Sequence, residues 1–272
     1  MTGLAGGAEA LRGQETYETH AKGIRILPGQ WRPHYRWEQI AWISPSWPSQ
    51  DYLWLDFPEA TFTSQGLLYL SAVNPKFPVV FPDLPPVPWR LLSNGLAFER
   101  RLPNGFRFGG SVIRKSASVV EMELHLANGS ASPLTDIVLQ TCLYLRAIRE
   151  FSEFTGANKF VHLPSSGWTP FSEALVARPK ESERYRVGWR REGRAIADWP
   201  LMVTASRQAD RLVAMTWHDD TLSLVSNPRH PCMHADPYFR DLKPGESASI
   251  RGHIVFFEGK LRDFDWQRQI GG

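Results

Sequence analysis

At 272 residues, with 42% hydrophobic and 22% charged, the chain has the composition of a soluble globular protein and enough length to bury one large core. A formal net charge of +3 is too small an excess for a nucleic-acid footprint, and no apolar run approaches the roughly 20 residues that a membrane span needs. The first ten residues lack the basic start and apolar middle of a signal peptide, so the expectation is a cytoplasmic protein with neither nucleic acid nor membrane as partner.

The 11 Trp, 15 Phe and 7 Tyr favour strands, and 21 Pro with 21 Gly punctuate them. Residues 1–20 read as a small, polar, frayed tail. From 21 to 90 come short extended pieces. In Asp51–Pro58, apolar groups alternate on both sides, which predicts a strand covered on two faces. Gln65–Ser71 reads as another strand. Asn74–Pro88 holds six prolines and is expected to cross the surface without regular structure.

From 91 to 265 the pattern becomes that of one main sandwich. Leu96–Leu102 runs into Pro-Asn-Gly, a tight-turn signal, and then into Phe106–Ile113. In Val119–Leu126, Met122, Leu124 and Leu126 point one way and Glu121, Glu123 and His125 the other. Asp136–Arg146 alternates Leu139, Thr141, Leu143 and Leu145 against Gln140, Cys142, Tyr144 and Arg146. The second set is a plausible floor for a polar-ligand groove. A brief helix competes at Leu145–Thr155. Asn158–Pro170 reads as a loop carrying Lys159, His162 and Trp168, and the charged run 178–194 as an exposed excursion. Strands resume at Leu201–Ser206, Leu212–Trp217 and Ser249–Phe257.

The densest chemistry lies between Met215 and Pro237. An apolar run ends at Trp217, and a proline-broken loop follows with His230, Cys232, His234 and Asp236. His230 and His234 have the spacing of a zinc-protease helix, but Pro231 lies between them and the required Glu is missing, so that motif is rejected. His234 and Asp236 in extended chain share one side. They can serve as metal ligands, as an imidazole oriented by a carboxylate for acid–base work, or as braces that pin the loop. His162 or His218 would complete a three-ligand set. Cys142 and Cys232 form no Cys-x-x-Cys pair; they are either two packed thiols or partners brought together by the fold. There is no Gly-x-Ser-x-Gly, and Gly109-Gly110 lacks the spacing of a phosphate loop.

Asn94-Gly-Leu-Ala-Phe-Glu-Arg, Glu121-Met-Glu-Leu-His-Leu-Ala-Asn-Gly-Ser and the Leu242-Lys-Pro-Gly-Glu turn before a closing strand resemble large antiparallel β-sandwiches of the galactose-mutarotase-like superfamily. The resemblance spans roughly residues 90–260. It implies an all-β supersandwich, here with an N-terminal strand-and-loop extension, and a sugar or oligosaccharide as ligand. That superfamily's epimerases use a histidine acid and a glutamate base, and no residue of this chain can be matched to either.

Aromatic rings stack on sugar C–H faces while polar groups bind the hydroxyls. The expected groove therefore has Gln140, Tyr144 and Arg146 as floor, Lys159, His162 and Trp168 as rim, and Trp217 and His230 as further binding groups. His234 and Asp236, with His162 and Arg146, are the catalytic candidates, for isomerisation, elimination or hydrolysis. No cofactor is expected beyond a divalent metal at His162, His234 and Asp236. Two alternatives stay open: a non-catalytic carbohydrate-binding domain, and a structural protein whose aromatic N-terminal region forms a homo-oligomer interface.

Overall fold

The structure, a computed structural model, describes residues 23–31, 37–145, 147–152, 156–176, 186–189, 196–226 and 231–271. Two antiparallel sheets face one another. The first holds β1 (Ile26–Gly29), β2 (Ile40–Ile43), β3 (Leu53–Thr63), β9 (Val138–Tyr144), β16 (Cys232–Pro237), β15 (Thr221–Val225) and β12 (Arg186–Gly188) in that spatial order, with β4 (Gly66–Leu70) also paired to β3. The second runs β11 (Gly167–Pro170), β10 (Lys159–Leu163), β13 (Leu201–Ala205), β14 (Arg211–Thr216), β17 (Ser247–Glu258), β8 (Val119–Asn128), β7 (Phe106–Arg114), β6 (Gly95–Arg101) and β5 (Arg90–Leu92). The expected all-β sandwich is therefore present.

The expected division near residue 90 is not how the strands are laid out. Residues 26–70 supply β1 to β4, half of the first sheet, so the N-terminal strands build the sandwich and do not rest against it. The tail 1–20 lies outside the described residues. The proline-rich segment carries no strand between Leu70 and Arg90, as its six missing N–H donors dictate. Asn158–Pro170 is a hairpin, β10–β11, not a loop. Among the described residues of Leu145–Thr155, the helical part is one 3₁₀ turn, Arg149–Phe151, whose single buried side chain is Phe151. The charged run contains β12; the rest of it, apart from Trp189, lies outside the described residues.

Strand alternation sorts the side chains. Leu55, Leu139, Leu143, Met233 and Ala235 of the first sheet meet Val161, Met202, Val213, Met215 and Phe256 of the second in the inter-sheet core. The second sheet buries its other face as well. There Leu201, Val203, Leu212, Ala214 and Val255 are covered by Phe264 and by Trp266 of the terminal helix (Trp266–Gly271). The two turn motifs noted in the sequence pack on each other. Asn128 donates through Nδ2 to Ser132 O and Leu242 O, and its backbone exchanges hydrogen bonds with Gly245 and Glu246. Leu134 and Leu242 bridge beside them.

Trp217 belongs to the core and not to a sugar site. It is fully buried, lies parallel to Phe57 at 6.2 Å, and donates from Nε1 to Thr141 Oγ1 at 3.3 Å. Gly252 makes room for it, since a Cβ there would sit 2.7 Å from the indole. Trp217→Ala is expected to cost about 3–5 kcal/mol of stability, read from denaturant midpoints; a loss confined to ligand affinity would contradict this placement.

On the outer face of the second sheet, Lys115 Nζ stands 3.5 Å from His253 Nε2, and His253 Nδ1 stands 2.6 Å from His218 Nε2. With Lys115 donating, His253 must carry its proton on Nδ1 and give it to His218, which leaves both rings neutral. Burial, then His218 and Lys115, push His253 down to about 4, although Glu121 pulls the other way. Between pH 6.5 and about 4 the unfolded chain thus takes up a proton that the folded chain refuses, so acid favours unfolding. Melting temperature should fall across that window, and His253→Gln should recover on the order of 2–4 °C of the fall. An identical decline in both proteins would refute it.

Candidate functional site

The outer face of the first sheet carries the chemistry, and the ladder explains why. Trp54 lies opposite Tyr144 and Asp56 opposite Cys142 across β3–β9, while Cys232 lies opposite Tyr144 across β9–β16. Side chains two apart share a face. Trp54 and Asp56, Gln140, Cys142 and Tyr144, and Cys232, His234 and Asp236 therefore all point the same way, opposite to the core leucines. The predicted loop 228–237 is a strand from Cys232 on. Pro237 closes it, and the residues before Pro231 lie outside the described set.

Glu59 reaches this face by an irregularity. Asp56 pairs with Cys142 but Ala60 with Gln140, so four steps along β3 match two along β9. The surplus is a bulge holding Pro58 and Glu59, and bulges re-aim side chains in this way. Ser71 anchors it, with its N–H donating to Glu59 O and its hydroxyl to Asp56 Oδ2 at 2.6 Å. Sequence reading missed both acids, because periodicity cannot register an inserted pair.

His234 is the centre. Its Nδ1 stands 3.5 Å from Asp236 Oδ1 and 3.9 Å from Glu59 Oε2. Asp236 is fully buried and also meets Ser223 Oγ at 3.5 Å and the Arg186 guanidinium at 3.8 Å. Burial pulls the imidazole down, but Asp236 and Cys232 outweigh it and hold His234 well above the ordinary histidine range. Cys232 shows the counterpart. The Cys142 thiol hydrogen-bonds to it and, against burial, His234 adds to that, so Cys232 lies well below the usual thiol value. Cys142, which supplies that hydrogen bond from a buried position, is pushed well up. The three shifts are thus set by one another, and the cluster favours charge on His234 and Cys232 over charge on Cys142.

An aromatic wall adjoins the cluster. Tyr144 stacks on Trp54 at 5.5 Å and meets Trp31 at 4.8 Å, and these rings pack against both cysteines.

Not all of the expected site assembles. His234, Asp236, Gln140 and Tyr144 come together. Arg146 and His230 lie outside the described residues. His162 and Trp168 sit on the far face of the second sheet, where His162 stacks on Trp199 at 3.8 Å and meets Asp198 at 2.6 Å. Alternation on β10 turns His162 outward and Lys159 inward, so neither rims the groove. Lys159 is fully buried, and its ammonium is pulled down by burial while the two cysteines raise it. The expected metal set of His162, His234 and Asp236 therefore fails. Among the described residues the donors that converge are Cys142, Cys232 and His234.

No protein-family model matches the chain, and no curated protein does. Solved structures do. A GalM/aldose epimerase homologue from C. elegans is 8% identical, covering 88% of this chain and all of its own, with a TM-score of 0.45. A galactose 1-epimerase from Lactobacillus acidophilus is 9% identical over 88% of this chain and all of its own, with a TM-score of 0.42. Likeness at that level concerns the path of the chain and says nothing about its chemistry. No helix among the described residues is long and apolar enough to cross a membrane.

Because the raised imidazole depends on its thiolate neighbour, Cys232→Ser should bring the His234 titration midpoint down, read by NMR of the histidine ring. In the native protein the contribution of the raised His234 is complete below the unfolded histidine value and fades as pH rises through the folded one, whereas that of the lowered Cys232 fades as pH falls through its own folded value. An unchanged midpoint in Cys232→Ser would overturn the pairing.

Proposed function

We propose that the outer face of the first sheet binds a sugar or oligosaccharide and moves protons on it, with His234 as acid and Glu59 as base. The observation that carries this reading is a buried imidazole, raised by Asp236 and Cys232, standing 3.9 Å from a part-exposed carboxylate, with an aromatic wall alongside. Trp54, backed by the buried Tyr144, offers a ring face for sugar C–H groups, and Gln140 offers an amide for hydroxyls. Asp236 is too deep to touch a ligand; its part is to orient His234 and hold its charge.

Isomerisation fits this set better than hydrolysis. One acid and one base suffice for ring opening or proton exchange at a carbon beside a carbonyl, whereas hydrolysis needs two carboxyl groups flanking a bond. Of the two carboxylates beside His234, Asp236 is sealed from the surface. A binding module without turnover is the competing reading.

Glu59→Gln keeps the shape of the bulge and removes the base. Against a panel of aldoses and oligosaccharides, anomer exchange or isomer formation followed by NMR should fall on the order of 10²-fold or more, with affinity by calorimetry nearly kept. Sugar binding by the native protein with no conversion of any panel member would instead make it a carbohydrate-binding domain.

A further inference from the structure

The same face holds a grouping that sugar chemistry does not use. Cys142, Cys232 and His234 each aim one donor atom at a common point, and the three atoms lie within 4.8 Å of one another. The ladder fixes this. Cys232 lies opposite Tyr144, and the same register carried on sets His234 beside Cys142. All three residues are at least nine-tenths buried, and no disulfide joins the cysteines.

We propose that Cys142, Cys232 and His234 form a binding site for a zinc ion. Two sulfurs and one imidazole select a borderline-soft cation and disfavour magnesium or calcium, which take oxygen ligands. Two thiolates cancel the charge of a divalent ion, so the loaded site is neutral where it is buried. Three protein donors leave the fourth tetrahedral position open.

A second observation points the same way. Nδ1 of His234 and Oδ1 of Asp236 are buried without a hydrogen-bond partner among the described residues, yet they stand 3.5 Å apart. In metal sites, the ring nitrogen that does not bind the ion donates to a carboxylate, which fixes tautomer and orientation. With Nδ1 facing Asp236, Nε2 is the nitrogen left for the ion, and the unmet pair becomes the hydrogen bond that holds the ligand. The inference goes beyond the sugar reading and stands on separate observations. It also constrains that reading, since an ion on His234 displaces the proton that makes it an acid.

Cobalt(II) is the probe. Added to the reduced, metal-free full-length protein, it should produce thiolate-to-cobalt charge-transfer absorption that saturates at about one equivalent and disappears when zinc is added. The chain has only two cysteines, so that band can come from no other sulfur, and its absence in the native protein overturns the proposal without any variant. Asp236→Asn should weaken zinc binding about 10–100-fold while the band remains. A band unchanged in Cys232→Ser, or a site that takes copper(I) but refuses both cobalt and zinc, likewise overturns it. Neither measurement depends on sugar turnover, so failure here and failure of Glu59→Gln to lose activity are separate results.

Discussion

One constraint underlies the molecule: β9 is hydrogen-bonded on both sides, to β3 and to β16, and cannot slip against either. A slip of one residue would drive Leu139, Leu143 and Leu145 out of the core and push Gln140, Cys142 and Tyr144 into it. The apolar demand of the inter-sheet space thus sets where the thiols, the imidazole and the carboxylates emerge. Core packing and site geometry are two faces of one register.

That coupling explains what could be read from the sequence. Where one face is apolar and the other polar, as in Val119–Leu126 and Asp136–Arg146, period-two alternation gives both strand and facing, and the structure puts Gln140 and Tyr144 on one face with His234 and Asp236. The stretch from Cys232 to Pro237 reads as a loop because Pro228, Pro231 and Pro237 break the chain there, and that signal outweighs the alternation of Met233 and Ala235 with His234 and Asp236. Lys159, His162 and Trp168 read as groove residues because they are polar or aromatic near one another in the chain. No local signal says that β10 belongs to the other sheet. Trp217 shows the same limit, since its indole looks alike in sequence whether it holds a sugar or fills a core.

The site's electrostatics are collective. His234 is raised despite its burial because Asp236 and Cys232 adjoin it, and Cys232 is lowered despite its burial because Cys142 and His234 adjoin it. Removing one member leaves another as an uncompensated buried group, which is costlier than never having had the pair. The cluster therefore behaves as one unit with a shared proton inventory, whether the occupant of the face is a sugar hydroxyl or a metal ion.

The strands that meet at this cluster are far apart in the chain, and that has a bearing on biosynthesis. β3 and β9 emerge from the ribosome long before β16, whose first residue is Cys232. Until then the nascent first sheet ends at β9 with a bare row of amide and carbonyl groups, next to hydrophobic side chains that have no roof. β16, the last strand of the first sheet in chain order, covers that edge of β9 and brings His234 to the cluster.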